Sequence, residues 1–382
     1  MQIRTAALVA AALAAAVGGC TAATTSKVTV SGKNLTIYLS APATTDQQAR
    51  DVVDAEQLAF AQQGGSIGSY TLKLQMLQSE KPSNNARSAI SDKAAIAYLG
   101  ELAPGTSADS AGITNAEDLL QVSPTDTALE LTTSTPAVSG APNSYYEAIK
   151  TYGRTFARVV PNTAKEAKAQ VLEMQSLRLK RLYATNDGSP YGRAIAQALT
   201  TAAPPALQVA PTGPRAADAV FYGGTSASRA SAFFNQTARD VPRVKLFASS
   251  ALATPAFLAA LSPQAVQNLV ISQPAIDHRS YSAIARQSFA VPFARRYGHV
   301  PSPQAIFGYE AMAAILSVLH QDSSQANDRS KVVHDFFSIR NRQSVLGTYS
   351  IDANGDTSIA PFVFSRIKAG HLVPVRSVRV GG

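Results

Sequence analysis

Short strand-like runs and helical segments alternate along this chain in two successive groups. In the first group, strand-like runs lie at 35–39, 70–77, 94–99 and 119–123, with helical patterns at 46–63, 85–91 and 107–115. In the second group, an extended stretch at 154–160 precedes strand-like runs at 181–185, 219–222 and 244–248, with helical patterns at 163–180, 191–201 and 228–239. Repeated β–α units form mainly parallel sheets that helices cover on both faces. The sequence therefore predicts an α/β protein with two doubly wound lobes.

The rest of the chain predicts a helical stretch followed by a β-rich end. Helical patterns cover 255–260, 280–297, 303–320 and 328–337, and strand-like runs follow at 347–351, 362–367 and 373–380. Asp352-Ala-Asn-Gly-Asp356 half resembles a calcium loop, but its Asn-Gly pair favours a plain turn. Two helix starts carry capping signals, which are Thr44/Thr45 and Thr163-x-x-Glu166.

The N-terminus predicts export from the cytoplasm. A basic start at 1–4 and an Ala/Leu/Val run at 5–17 lead to Val17-Gly-Gly-Cys20, where the only cysteine of the chain stands. The run is shorter than the about 20 residues that span a bilayer, and it is typical of a secretory signal. Val17-Gly-Gly-Cys20 resembles the lipobox of bacterial lipoproteins. That resemblance implies a signal peptide at 1–19, a lipidated tether at 20–33 and an extracytoplasmic protein anchored to the cell membrane through Cys20. The alternative is an ordinary signal peptide in which Cys20 has no role.

Charge and cysteine content exclude several classes of function. The chain has 34 Lys+Arg against 25 Asp+Glu, a net charge of +9. A basic surface can bind nucleic acid, but the basic residues are scattered and the predicted location argues against it, so we expect no nucleic-acid partner. A single cysteine excludes a disulfide scaffold and a cysteine-clustered zinc site. The nucleotide-binding and metalloprotease motifs are absent from the sequence, and we expect no cofactor and no metal.

Catalytic motifs are weak. Gly64-Gly-Ser-Ile-Gly68 fits G-x-S-x-G, but it joins a helix to a strand, whereas a nucleophile elbow joins a strand to a helix. Ser365-Arg-Ile-Lys368 fits S-x-x-K without its companion motifs. The five histidines lack metal-ligand spacing. We therefore predict no enzyme, and a secreted hydrolase that uses Ser66 stays as an alternative.

Small polar loops follow several predicted strands. These loops are Ala103–Ser110, Ser123–Thr127, Asn186–Gly192, Gly223–Ser226 and Ala248–Ser250. Hydroxyls and free N–H groups at such positions suit anionic groups, and ligands of doubly wound sheets bind at the carboxyl ends of the strands. One loop alone is plain turn chemistry, but matching loops in both lobes predict a ligand cleft.

Several stretches, in order along nearly the whole chain after the predicted signal, resemble the Leu/Ile/Val-type solute-binding proteins of branched-chain amino acid ABC importers, which have the type I periplasmic-binding-protein fold. The stretches are Ala59-Phe-Ala-Gln-Gln-Gly-Gly-Ser-Ile-Gly68, Val122-Ser-Pro-x-x-Thr127 with Glu130-Leu-Thr132, Asp187-x-x-x-Tyr-Gly192, Ala219-Val-Phe-Tyr-Gly-Gly224, Gly308-Tyr-Glu-Ala-Met-Ala313 and Ser344-Val-Leu-Gly-Thr-Tyr-Ser-Ile-Asp-x-x-Gly-Asp356. The resemblance implies two lobes joined by three crossovers that close over a ligand. It places 34–157 plus 277–340 in one lobe and 158–276 plus 341–382 in the other.

The resemblance also implies site residues. Thr106, Ser107, Thr125 and Thr127 map onto the segments that hold the ligand's α-carboxylate, and Tyr191 and Thr225 map onto the other lobe. Where amino-acid binders carry an acid for the α-ammonium, this chain has Ser249-Ser250. Either Asp126 or Asp187 takes that role, or the ligand lacks an α-ammonium. Asp126 is equally well explained as a cap.

The implied function is capture of a small polar solute, such as an amino acid, by hinge closure. The partners would be that solute, a membrane permease and the membrane itself, and we expect a monomer. The alternative is a ligand-sensing or regulatory lipoprotein on the same fold that signals to a protein partner.

Overall fold

The computed structural model describes residues 28–44, 46–146, 153–210 and 212–381. Cys20 and the predicted signal peptide lie outside the described residues. Within them the chain forms two large sheets, each covered by helices on both faces, which confirms the predicted α/β class.

The first sheet has the order β2-β3-β1-β4-β5-β6, and all its pairings are parallel except β2 with β3. Its strands are β1 (Asn34–Ser40), β2 (Ser66–Ile67), β3 (Tyr70–Leu77), β4 (Ala95–Leu99), β5 (Leu120–Ser123) and β6 (Phe156–Arg158). The helices between these strands are α1 (Gln47–Gln63), α2 (Pro82–Ser91) and α3 (Ala111–Asn115). The central strand β4 is buried along its whole length, as its apolar sequence predicts.

The second sheet has the order β15-β14-β11-β10-β9-β7-β8, parallel except for the two pairings of β14. Its strands are β7 (Arg181–Asn186), β8 (Gln208–Val209), β9 (Ala219–Gly223), β10 (Lys245–Ala248), β11 (Leu269–Pro274), β14 (Pro361–Lys368) and β15 (His371–Arg379). The helices of this part are α4 (Thr163–Ser176), α5 (Pro190–Ala202), α6 (Ala227–Asp240), α7 (Pro255–Ala259) and α8 (Pro263–Asn268).

After β11 the chain returns to the first sheet. A π-helical turn, Ala285–Ala290, leads into α9 (Val291–Tyr297), followed by α10 (Ala305–Asp322) and α11 (Arg329–Phe337). Nearly all of α10 is buried in the core of the first sheet, against α1. Gly308 allows this contact, because a Cβ there would lie 2.3 Å from the carbonyl oxygen of Val52 on α1. We call the first sheet with α1–α3 and α9–α11 the first lobe, and the second sheet with α4–α8 the second lobe.

A small hairpin, β12 (Arg342–Ser344) with β13 (Gly347–Tyr349), belongs to the first lobe. The Tyr349 hydroxyl donates to Glu310 Oε1 on α10 at 2.8 Å, and Arg342 Nε donates to the same oxygen at 2.7 Å. The predicted placement of 341–351 in the second lobe is therefore wrong, because these contacts hold the hairpin to α10. The predicted boundaries near 157 and 276 stay predictions.

Other differences from the sequence prediction have local causes. Strand β11 was not expected, because it follows α8 without a turn and contains Ser272, Gln273 and a proline. The predicted helix at 163–180 ends at Ser176, and Arg178 then adopts a left-handed φ of +58°. The predicted helix at 107–115 is a 3₁₀ turn, Thr106–Asp109, followed by α3.

Both predicted helix caps belong to other residues. Asp46, and not the predicted Thr44, caps α1 by accepting from the N–H of Gln48, and Thr45 lies outside the described residues. Asn162, one residue before the predicted Thr163, caps α4 by accepting from the N–H of Lys165. Asparagine and aspartate are stronger N-caps than threonine, which is the physical reason for both shifts.

The fully buried side chain of Arg158, at the end of β6, joins two connections between the lobes. Its Nε donates to Asp356 Oδ1 at 2.6 Å, in the 352–356 turn that precedes β14. Its Nη1 donates to the carbonyls of Asp126 and Ala128 at 3.1 and 2.8 Å. The 352–356 turn confirms the sequence prediction, and Gly355 is required there because a Cβ would lie 2.3 Å from the carbonyl oxygen of Phe156.

We expect Arg158→Met to lower the free energy of unfolding by about 3–5 kcal/mol, because it leaves the Asp356 carboxylate buried without its cation. Chemical denaturation measures this change. The double variant Arg158→Met/Asp356→Leu should recover much of it, since no charge is then left unpaired. Arg181→Met, which breaks the exposed pair with Asp218, should change stability little. Equal effects of Arg158→Met and Arg181→Met would contradict this role.

A second prediction concerns pH. On α1, Asp51 accepts from His299 Nε2 at 2.9 Å and from the N–H of Ser302 at 2.8 Å. The hydrogen bond to Asp51 raises the pKa of His299 above its ordinary value. The resulting stabilisation is complete below the unfolded pKa, about 6.5, and is lost as the pH rises through the higher folded pKa. The parent chain should therefore lose stability relative to His299→Gln as the pH rises from about 6 to about 9.

Thermal unfolding of both chains across that range checks this prediction. His371→Gln, an exposed change on β15, serves as the control and should follow the parent chain. Parallel pH profiles of the parent chain and His299→Gln would contradict it.

Candidate functional site

A cleft lies between the two lobes, where loops at the carboxyl ends of central strands from both sheets meet. It encloses about 170 Å³, and we call it the interlobe cleft. The first lobe lines it with Asp46, Gln48, Ala49, Val52, Leu102, Ala103, Pro104, Thr125, Thr127 and Gln304. The second lobe lines it with Ser250, Ala251, Ala253 and Thr254. The interlobe cleft thus lies where parallel α/β sheets bind their ligands.

Thr125 and Thr127 line the interlobe cleft from the loop after β5. Thr125 Oγ1 donates to the carbonyl oxygen of Leu102 at 2.7 Å. Thr127 is 1% exposed, and its Oγ1 has no hydrogen-bond partner among the described residues. A buried hydroxyl without a partner costs free energy. Of these two hydroxyls, that of Thr127 therefore has more to gain from a ligand.

The structure places Thr106 and Ser107 differently from each other. Thr106 is half-buried beside the interlobe cleft, and its Oγ1 donates to the carbonyl oxygen of Ala103 at 2.6 Å. Ser107 is fully buried, and its hydroxyl accepts from the N–H of Glu101 at 3.1 Å. The hydroxyl of Ser107 therefore supports the fold of its own loop.

Asp126 is fully buried, and its carboxylate accepts from three backbone N–H groups of the strand-end loops. The donors are Gly105 at 2.7 Å, Ser107 at 2.9 Å and Ala128 at 3.0 Å. Burial raises the pKa of Asp126, and the three N–H groups oppose that shift. Asp126 does not cap a helix, and its carboxylate instead holds backbone N–H groups of these loops. Asp126 holds N–H groups of the same loops that the resemblance assigned to a ligand carboxylate.

In the second lobe, Asp187 likewise uses its carboxylate to accept from backbone N–H groups of strand-end loops. Its carboxylate accepts from the N–H groups of Ser189, Thr225 and Ser226 at 3.0, 2.8 and 3.2 Å. The side chain of Thr225 is exposed, and its N–H is the group that Asp187 engages. Burial opposes ionisation of Asp187, but the hydrogen bonds from Ser189, Thr225 and Ser226 outweigh it and lower the pKa.

Ser250 contacts the buried carboxyl group of Glu166, a residue that was not predicted to lie at the site. Both the N–H and the Oγ of Ser250 donate to Glu166 at 2.7 Å, and Ser272 Oγ donates to Glu166 at 2.6 Å. The Tyr191 hydroxyl lies 3.4 Å from Ser250 Oγ. Burial raises the pKa of Glu166, and the serine donors oppose the shift.

The acidic residue next to Ser250 is therefore Glu166, which belongs to α4 and not to the end of β10. Glu166 lies in the first turn of α4 and is 0% exposed. The sequence signal was a Glu on the same helix face as Thr163 and Gln170, which are also fully buried. That periodic position indicates a group turned towards the sheet rather than towards solvent.

A larger open cavity continues from the interlobe cleft into the first lobe. It encloses about 650 Å³, and we call it the outer cavity. It shares Asp46, Ala49, Leu102 and Ala103 with the interlobe cleft, and Thr106 also lines it. The two cavities together offer space for a ligand larger than the interlobe cleft alone admits.

Among the described residues, no group of three or more His, Cys, Asp or Glu side chains could hold a metal ion. No helix among the same residues is both long enough and apolar enough to cross a bilayer. The predicted G-x-S-x-G segment connects the end of α1 to β2, so Ser66 does not stand on a strand-to-helix turn.

The fold is similar to those of several solved binding proteins. A leucine-binding protein LivK from Thermotoga maritima is 19% identical, with a TM-score of 0.71 over 91% of this chain and 99% of that one. The branched-chain amino acid transporter protein LivJ from Streptococcus pneumoniae, solved with isoleucine, is 13% identical, with a TM-score of 0.68 over 92% and 100%. A solute-binding protein of an ABC transporter from R. palustris, solved with benzoate, is 15% identical, with a TM-score of 0.65 over 92% and 98%.

These similarities confirm the type I periplasmic-binding-protein fold that the motifs predicted. No protein-family model matches the sequence, and no curated protein sequence matches it either.

We expect Asp126→Asn to lower the free energy of unfolding by about 1–3 kcal/mol, because the amide turns an N–H donor towards one of the backbone donors that the carboxylate satisfied. Urea denaturation measures the change. Asp109→Asn, an exposed change in the neighbouring turn, is the control and should match the parent chain. Equal stability of the two variants would contradict this role of Asp126.

Proposed function

We propose that this chain is the extracytoplasmic substrate-binding lipoprotein of an ABC importer and that it captures a small polar solute by closure of its two lobes. The interlobe cleft carries the proposal, because loops from both lobes line it. A ligand seated there would contact both lobes at once. Its binding would then favour the closed arrangement, which a membrane permease could recognise.

Two of the crossing segments between the lobes meet at the side chain of Arg158. Arg158 joins the segment between β6 and α4 to the turn at Asp356. The same guanidinium holds the carbonyls of Asp126 and Ala128, on either side of Thr127 in the interlobe cleft. Rotation about these segments would therefore move the Thr127 loop together with the hinge.

The anchor and the location rest on the N-terminal sequence. The Val17-Gly-Gly-Cys20 segment would be processed and lipidated, and the polar tether would hold the lobes at the outer face of the membrane. Three of the similar proteins are described as binding leucine, isoleucine or benzoate. A small solute of comparable size is the corresponding proposal for this chain.

A thermal-shift screen of the chain from Thr21 onward tests the proposal. The panel holds amino acids, short amides, small carboxylates, amines and sugars. A ligand at about 100 times its Kd should add about 2.7 kcal/mol to the free energy of unfolding, a shift of several degrees in Tm. A screen in which no compound of any class raises Tm would contradict solute binding.

The strongest compound of that screen then tests the interlobe cleft. Thr127→Val removes a hydroxyl that the fold does not use, so it should weaken binding by about twofold to tenfold without lowering stability. Thr132→Val is the matched control, because Thr132 Oγ1 donates to Asp356 Oδ2 at 2.9 Å and serves the hinge. Thr132→Val should lower the free energy of unfolding and leave the affinity for the compound nearly unchanged. Unchanged affinity in Thr127→Val would place the solute elsewhere.

A further inference from the structure

The charge of the two cavities is opposite to the charge of the chain. The chain carries a net charge of +9. The outer cavity, in contrast, is lined by four acidic residues, Asp46, Asp54, Glu80 and Glu101, and by one basic residue, Arg50. Arg50 donates to the Thr44 carbonyl at 3.1 Å and to Gln47 Oε1 at 2.5 Å, so its N–H groups are partly engaged by the fold.

Two of these carboxyl groups are held where their ionised form is unfavourable. Burial raises the pKa of Asp54, and the neighbouring Asp51 adds to the shift. Burial also raises the pKa of Glu101, which accepts from the Tyr98 hydroxyl at 2.6 Å. A cation next to such a group favours its ionised form, so these carboxyl groups would gain from a positively charged ligand.

Several strand-end N–H groups that could hold an anion are already engaged by carboxylates in both lobes. Asp126 accepts from Gly105, Ser107 and Ala128 in the first lobe. Asp187 accepts from Thr225 and its neighbours in the second. A ligand carboxylate would have to displace one of these carboxylates and would meet its charge at short range, which is unfavourable.

An independent observation points to a ligand in the interlobe cleft itself. Thr127 lines the interlobe cleft, and its Oγ1 is buried and lacks a hydrogen-bond partner within the described residues. Ser250 Oγ donates to Glu166 and so offers its lone pairs as acceptors. Both oxygens can accept hydrogen bonds from a ligand ammonium, which has donors only.

We propose that the solute is a small organic cation with an amino group and without a carboxylate. Its ammonium group would enter the interlobe cleft beside Thr127 and Asp46, and its body would extend into the outer cavity. This inference rests on the proposed function and names its substrate class.

A series of compounds on one carbon skeleton tests the inference by calorimetric titration of the chain from Thr21 onward. Isoamylamine has the leucine skeleton without the carboxylate, isocaproate has it without the amine, and isoamyl alcohol has neither charge. Agmatine and arginine form a second pair that differs only in the carboxylate. We expect each amine to bind at least about tenfold tighter than its carboxylate-bearing partner, a difference of about 1.4 kcal/mol.

Single substitutions test which carboxylate binds the ammonium group of the ligand. Asp46→Asn removes a carboxylate but keeps an N-cap for α1, since asparagine caps as well as aspartate. It should weaken isoamylamine binding by about threefold to tenfold and reduce the dependence of affinity on salt. Asp240→Asn, an exposed change at the end of α6, is the control and should leave both unchanged.

The outcomes separate the inference from the function on which it rests. Binding of leucine, isocaproate or a neutral solute as tight as, or tighter than, that of the matching amine would overturn the cation inference and leave solute binding intact. Equal affinity of Asp46→Asn and the parent chain for the amine would also overturn it. Failure of every amine, acid, amino acid, amide and sugar to bind would overturn the proposed function together with the inference.

Discussion

The buried guanidinium of Arg158 is the interaction on which the arrangement of the two lobes depends. A fully buried Arg is stable only when its charge and its N–H groups are satisfied. Here Asp356 supplies the charge, and Thr132 and the carbonyls of Asp126 and Ala128 supply acceptors. These partners belong to the crossing segments and to the loop of the interlobe cleft. One side chain thus holds the crossing segments and the Thr127 loop in a common geometry.

The second constraint is that side-chain carboxylates of the protein itself accept hydrogen bonds from the N–H groups of the strand-end loops. Asp126 and Asp187 each accept several backbone N–H groups, one in each lobe. A buried N–H without an acceptor costs about 1–3 kcal/mol, so internal carboxylates stabilise the loops in the absence of any ligand. The same arrangement makes the loops poor anion sites. The same contacts stabilise the loops and occupy their N–H groups.

Much of the architecture was accessible from the sequence, because the period of the apolar residues identifies strands and helices locally. Strand β4, for example, is a buried apolar run in the sequence and in the structure. Strand β11 and the hairpin β12–β13 were misjudged because distant partners determine them. Ser272 is a strand residue because β10 and β14 flank it, and the hairpin joins the first lobe because Arg342 and Tyr349 find Glu310 on α10.

The sequence by itself determined the α/β class, the two lobes, the position of the polar loops and an N-terminus typical of export. Local periodicity, capping residues and turn residues are sufficient for those conclusions. Only the tertiary structure decided which partner each buried polar group takes. It showed that Asp126 accepts loop N–H groups, that Ser250 donates to Glu166 and that the Thr127 hydroxyl has no hydrogen-bond partner in the part of the chain that the structure describes. The reason is physical. Desolvation makes the free-energy contribution of a buried polar side chain depend on its neighbours, and those neighbours lie far away along the chain.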